Sequence, residues 1–149
     1  MKFIPLSKPS FLNKNQNKIV YRFISKSERI AMEKQNIQNI GEIWEKESSG
    51  NNHKYKKNTR YIHFINNKED ALIIYKELGS IKDYFCSYSI PQKTLRKYAG
   101  KGFYMTSGYN FYETVKEYAI PTEEFNPEWL VSIKTINEFL NEEHLTINC

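Results

Sequence analysis

The stretch RYIHFINNKEDALIIYKELG, residues 60–79, changes its period halfway along. RYIHFI, 60–65, is dense in β-branched and aromatic residues, the composition of a strand. From residue 66 the apolar positions Ala71, Leu72, Ile74, Tyr75 and Leu78 recur at helical spacing. An Asn stands at the N-cap, acidic residues fill the first turn, and Gly79 supplies the stop, so the spacing predicts a helix over 66–79. A strand running directly into a helix excludes an all-β or an all-α chain.

Towards the N-terminus, KIVYRFIS (18–25) is a second strand, on which Val20, Arg22 and Ile24 share one face and Ile19, Tyr21 and Phe23 the other. Ser25 and Glu28 have the spacing of a capping box, which predicts a helix from about Lys26 to Gln35. Residues 36–58 carry the apolar GEIW patch and then a polar SSGNN segment that reads as a loop. The first eighteen residues are polar and aperiodic and read as a loosely attached arm.

Towards the C-terminus, DYFCSYSI (83–90) alternates like a strand with one buried face. Pro91 opens a short helix over PQKTLRKYAG, and the glycines of GKGFY (100–104) read as its C-cap and a turn. GFYM (102–105), VKEYAIP (115–121) and WLVSIKTI (129–136) are further strands, and NEFLNEEHL ends the chain as a helix. The expected fold is α+β: residues 1–18 as an arm, then one domain over 19–149. That domain holds a mixed or antiparallel sheet of five to six short strands with two to three helices.

A chain of 149 residues suits one core of this kind, and its 15% aromatic content supplies the apolar bulk. No apolar run approaches the roughly 20 residues that span a bilayer, and Pro5 and Pro9 interrupt the start, so neither a signal peptide nor an anchor is expected. Cys86 and Cys149 lack metal-ligand spacing, and free thiols fit a cytoplasmic protein. The net charge of +5 is unevenly spread. Residues 1–101 carry 20 Lys and Arg against 9 Asp and Glu, whereas residues 102–149 carry 2 against 8. Such a split gives a basic face for phosphates, nucleic acid or an acidic protein.

The chain has no phosphate loop, no dinucleotide glycine fingerprint and no HExxH motif, and His53, His63 and His144 stand near no Ser or Cys motif. In HKYKKNTRY (53–61), Lys54, Lys56, Lys57 and Arg60 alternate with Tyr55 and Tyr61, a composition for neutralising phosphates and stacking bases. Arg22, within a strand, needs an anion or an open edge, because a buried unpaired guanidinium is costly. Glu117 is its mirror image, on the Val115 and Ala119 face of VKEYAIP. Such a carboxylate is either an ion-pair partner, with Arg22 itself as one choice, or one that stabilises positive charge developing on a sugar carbon. Glu123, Glu124 and Glu128 follow Pro121 in a turn and read as solvated.

VYRFIS, YIHFINNKEDALIIY and VKEYAIP together resemble the three-part plan of ADP-ribosyltransferase-like domains, found in toxins and effectors. In many members a first strand supplies an Arg or His that holds NAD, a second supplies Ser-Thr-Ser or an aromatic beside the nicotinamide, and a third supplies a catalytic Glu. The resemblance implies NAD as co-substrate, Arg22 gripping its pyrophosphate or ribose, and Tyr61 or Phe64 stacking on nicotinamide. His63 would stand beside Phe64 in the middle motif, and Glu117 would favour the oxocarbenium-like state. No Ser-Thr-Ser occurs at 60–65, and Val115 stands where arginine-modifying members carry Glu or Gln. The implied activity is transfer of ADP-ribose to a protein or nucleic acid, and with Glu117 as its catalytic carboxylate it requires Arg22 and Glu117 to face one cleft. Two other classes stay open: a non-catalytic binding protein using the basic face, and an RNA-cleaving toxin.

Overall fold

A computed structural model describes residues 16–44, 48–49, 54–56, 58–78, 82–106 and 111–148. Most of the expected arm, together with His53, Lys57 and Cys149, lies outside them. The order is β1 (Asn17–Ile24), α1 (Lys26–Glu33), a 3₁₀ turn (Ile37–Asn39), β2 (Glu42–Trp44), β3 (Ser48–Ser49), β4 (Lys54–Tyr55), β5 (Thr59–Ile65) and α2 (Lys68–Leu78). There follow β6 (Tyr84–Pro91), α3 (Gln92–Lys97), β7 (Ala99–Thr106), β8 (Phe111–Pro121), 3₁₀ turns at Thr122–Glu124 and Pro127–Trp129, β9 (Leu130–Thr135) and α4 (Ile136–Asn148).

The fold is α+β. An antiparallel seven-stranded sheet runs β7-β8-β5-β1-β6-β9, with β2 added to β5. The apolar GEIW patch, to which the sequence assigned no element, contributes a short strand, Glu42–Trp44, paired with Thr59–Tyr61. GKGFY also departs from its reading: Gly100 lies in β7 opposite Glu117, so it caps no helix.

Both faces of the sheet are covered. One carries Val20, Ile24, Ile62, Phe64, Cys86, Tyr88, Ile90, Tyr118 and Ile120, against which Ala31 and Met32 of α1 pack. The other carries Phe23, Ile65 and Phe85 against Ala71 and Ile74 of α2 and Phe139 of α4. Two-sided burial explains why β6, expected to bury one face, buries Phe85 as well as Cys86, Tyr88 and Ile90.

Two helix starts show how local chemistry sets the elements. Asn67 Oδ1 accepts from the Asp70 N–H at 2.8 Å and caps α2 as its sequence predicts. At α1, Ser25 Oγ accepts from the Glu28 N–H at 3.2 Å, which is half of the expected capping box. The Glu28 carboxylate is engaged elsewhere. Helix α1 then ends early, with Gln35 in the left-handed region at φ 59°. The Gln35 N–H bonds the Met32 carbonyl and the Asn36 N–H bonds the Ala31 carbonyl, the paired bonds of a Schellman ending.

Candidate functional site

Register fixes where the candidate side chains go. Residues directly opposite in adjacent strands share a face. Glu117 stands opposite Ile65 and Gly100, and Ile65 stands opposite Tyr21, so Glu117 lies on the α2 face. Arg22, one residue on from Tyr21, lies on the α1 face with Val20 and Ile24. The two residues that a single NAD cleft would need to share project to opposite sides of the sheet. The alternative of an Arg22–Glu117 ion pair falls for the same reason.

Arg22 is instead the plug of an incomplete ladder. Strand β5 pairs with β2 over Thr59–Tyr61 and with β1 at Ile65, and Arg22 meets the backbone between those two pairings. Arg22 Nη1 donates to the His63 carbonyl at 3.0 Å, a partner for a part-buried backbone group. Its Nε and Nη2 donate to the two carboxylate oxygens of Glu28 at 2.9 and 2.7 Å, a bidentate fork. Side-chain exposures of 13% and 11% leave this pair part-buried. Burial alone would depress the arginine pKa; the Glu28 bonds and charge outweigh it and hold the value raised.

A cavity of about 340 Å³ opens at this pair, lined by Arg22, Ser25, Ser27, Glu28, Asn39, Glu42 and Lys82, among others. Its walls combine two cations, two carboxylates, two hydroxyls and an amide. Gly41 closes it at φ +92°, where an added Cβ would stand 2.4 Å from the Tyr61 carbonyl oxygen, so only glycine fits. Glu42 is exposed at its mouth. Nothing in the sequence patterns singled out Ser27, Glu42 or Lys82, because β2 pairing with β5 brings in Glu42, and the bonds of Asp83 to Ile24 and Lys26 bring Lys82 to the start of α1.

A second cavity of about 490 Å³ is lined by Ile37, Gln38, Asn58, Thr59, Arg60, Thr122, Glu123 and Phe125. The two share a wall: Arg60 Nη1, on the second, donates to the Gly41 carbonyl, on the first, at 2.8 Å. Glu117 lines neither.

The expected stacking aromatics are core residues. Phe64 is 0% exposed, with ring centroids 5.0 Å from Tyr88 and 6.1 Å from Phe125. Tyr61 is 2% exposed, and its hydroxyl accepts from the Lys56 N–H at 2.9 Å. Neither offers a ring face to nicotinamide, because β5 is covered on both sides. His63 is half-buried on the face of Tyr61 and Ile65, away from Arg22. Of the basic segment, Lys56 is exposed and Arg60 is half-buried and bonded to Gly41, while the Lys54 side chain lies outside the described residues.

Burial pushes the Cys86 thiol up to about 12, which leaves it protonated and unreactive. Among the described residues there is no group of three or more His, Cys, Asp or Glu that could hold a metal ion, and no helix is long and apolar enough to cross a membrane. The chain matches no family model, no curated protein and no solved structure.

Proposed function

We propose that the chain is an ADP-ribosyltransferase-like protein of the toxin or effector kind, acting in the cytoplasm. It takes up NAD at the Arg22 cavity and transfers ADP-ribose to a protein or nucleic acid. One observation carries this reading: the three strands of the resemblance, β1, β5 and β8, are neighbours in the sheet, and the polar cavity opens where β1 and β5 part. Its volume falls at the low end of small-molecule sites, roughly 300–1,000 Å³, enough for the nicotinamide riboside end of NAD rather than all of it.

The division of labour differs from the one that the resemblance implies. Arg22 keeps two N–H donors beyond its three bonds to Glu28 and His63, and these with Lys82 and the serine hydroxyls meet ribose or phosphate oxygens. Of the two carboxylates on the wall, Glu28 is engaged by Arg22, so Glu42 is the one in reach of the ribose. There it stabilises the positive charge that builds on the sugar carbon as nicotinamide leaves. Glu117 has no part in the step.

The test is nicotinamide release from NAD by the wild type, Glu42→Gln and Glu117→Gln. Losing the stabilising carboxylate is expected to slow release about 100-fold or more, and Glu117→Gln to leave it unchanged. Silence of the wild type ends the enzymatic reading, and loss on Glu117→Gln returns the chemistry to the α2 face.

A further inference from the structure

We propose that the second cavity, between the Ile37–Asn39 turn, the start of β5 and the Thr122–Glu124 turn, is a recognition site for a nucleotide. The inference does not rest on the NAD reading of the neighbouring cavity. The walls divide by chemistry. Ile37 and Phe125 are apolar, and Phe125 is held in place by rings of Phe64, Tyr88 and Trp129 at 5.9 to 6.1 Å. A planar base gains from such a rigid apolar wall.

Around that wall stand groups that read a base edge or a sugar. Gln38 and Asn58 each offer both donors and acceptors, the pairing capacity that a nucleobase edge presents in return. Thr59 and Thr122 bring hydroxyls, although Thr122 Oγ1 already donates to the Ile40 carbonyl at 3.0 Å. Arg60 supplies the cation: one N–H is bonded to Gly41, and the rest of its fork is available to a phosphate. Asn58 sits at φ 62°, a left-handed conformation that asparagine tolerates, and it turns the chain into the cavity wall two residues after exposed Lys56. The Arg60 charge favours an anionic ligand over a neutral nucleoside. Glu123, also in the lining, disfavours negative charge beside it.

Nucleotide chemistry has two sources, a free mononucleotide and the end of a single-stranded RNA. The experiment titrates the full chain with AMP, with a tetramer of adenylates and with ribose 5-phosphate, following backbone amide shifts by NMR. AMP or the tetramer is expected to move the amides of Ile37, Gln38, Asn58–Arg60 and Thr122–Phe125, and to bind about tenfold tighter than ribose 5-phosphate. Tighter binding of AMP identifies a free nucleotide as the ligand, and tighter binding of the tetramer an RNA end. Gln38→Ala touches an exposed side chain outside the core, and Arg60→Lys keeps the charge but loses the fork. Each is expected to weaken binding about tenfold while leaving the remaining spectrum in place. Absence of binding, shifts confined to the Arg22 cavity, or affinity unchanged in both variants overturns the inference. Nicotinamide release is unaffected by Gln38→Ala on this account, so failure of the nucleotide site and failure of the NAD reading are separately visible.

Discussion

Arg22 and Glu28 decide how the first strand and first helix are joined. A guanidinium largely withdrawn from solvent needs partners, and here a bidentate carboxylate and one backbone carbonyl take three of its five donors. Glu28→Ala leaves that cation part-buried with one partner, so it is expected to cost about 1.5–3 kcal/mol in urea unfolding. Glu33→Ala provides the comparison, since the Arg29–Glu33 pair is exposed at 37% and 63%, and its loss is expected to cost under about 0.5 kcal/mol. Equal midpoints for the two variants would refute the structural weight given to Arg22. The sequence made Arg22 conspicuous because a strand arginine needs an anion. It did not disclose which one, because Ser25 and Glu28 also satisfy a capping-box pattern, and the choice between two partners for Glu28 is made by burial.

At the scale of elements, period and capping were legible where one local signal acted alone. Helix α2 shows this, with the Asn67 cap and the acidic first turn where the sequence puts them. Helix α1 shows the opposite: nothing in its apolar spacing announces an end at Glu33, and the Schellman bonds force Gln35 into a conformation that glycine adopts more cheaply. Gln35→Gly is therefore expected to stabilise the protein by about 0.5–1 kcal/mol, read as a raised urea midpoint with an unchanged slope. A lowered midpoint would mean that the Gln35 side chain contributes more than its backbone costs. The short strand β2 stayed hidden for a different reason. GEIW is three residues of β-structure whose pairing is with Thr59–Tyr61, and no local pattern carries a partner 17 residues away.

At the scale of the whole molecule, composition and alternation were enough for the class, since strands with aromatic and β-branched residues on both faces demand helices on both sides. They were not enough for the site. Strand parity alone places Arg22 with Val20 and Glu117 with Val115. Whether those two faces coincide depends on the register through β5, which only Tyr21 opposite Ile65 and Ile65 opposite Glu117 reveal. Because the sheet separates them, the central claim is that any NAD site lies on the α1 face, beside Arg22. The direct measurement is amide shift mapping by NMR as NAD is added to the full chain. The account predicts the largest shifts at Ser25, Ser27, Gly41, Glu42 and Lys82, with Gly100 and Glu117 unmoved. Shifts centred on Gly100, Glu117 and Tyr21, with the Ser25–Glu28 amides still, would contradict it.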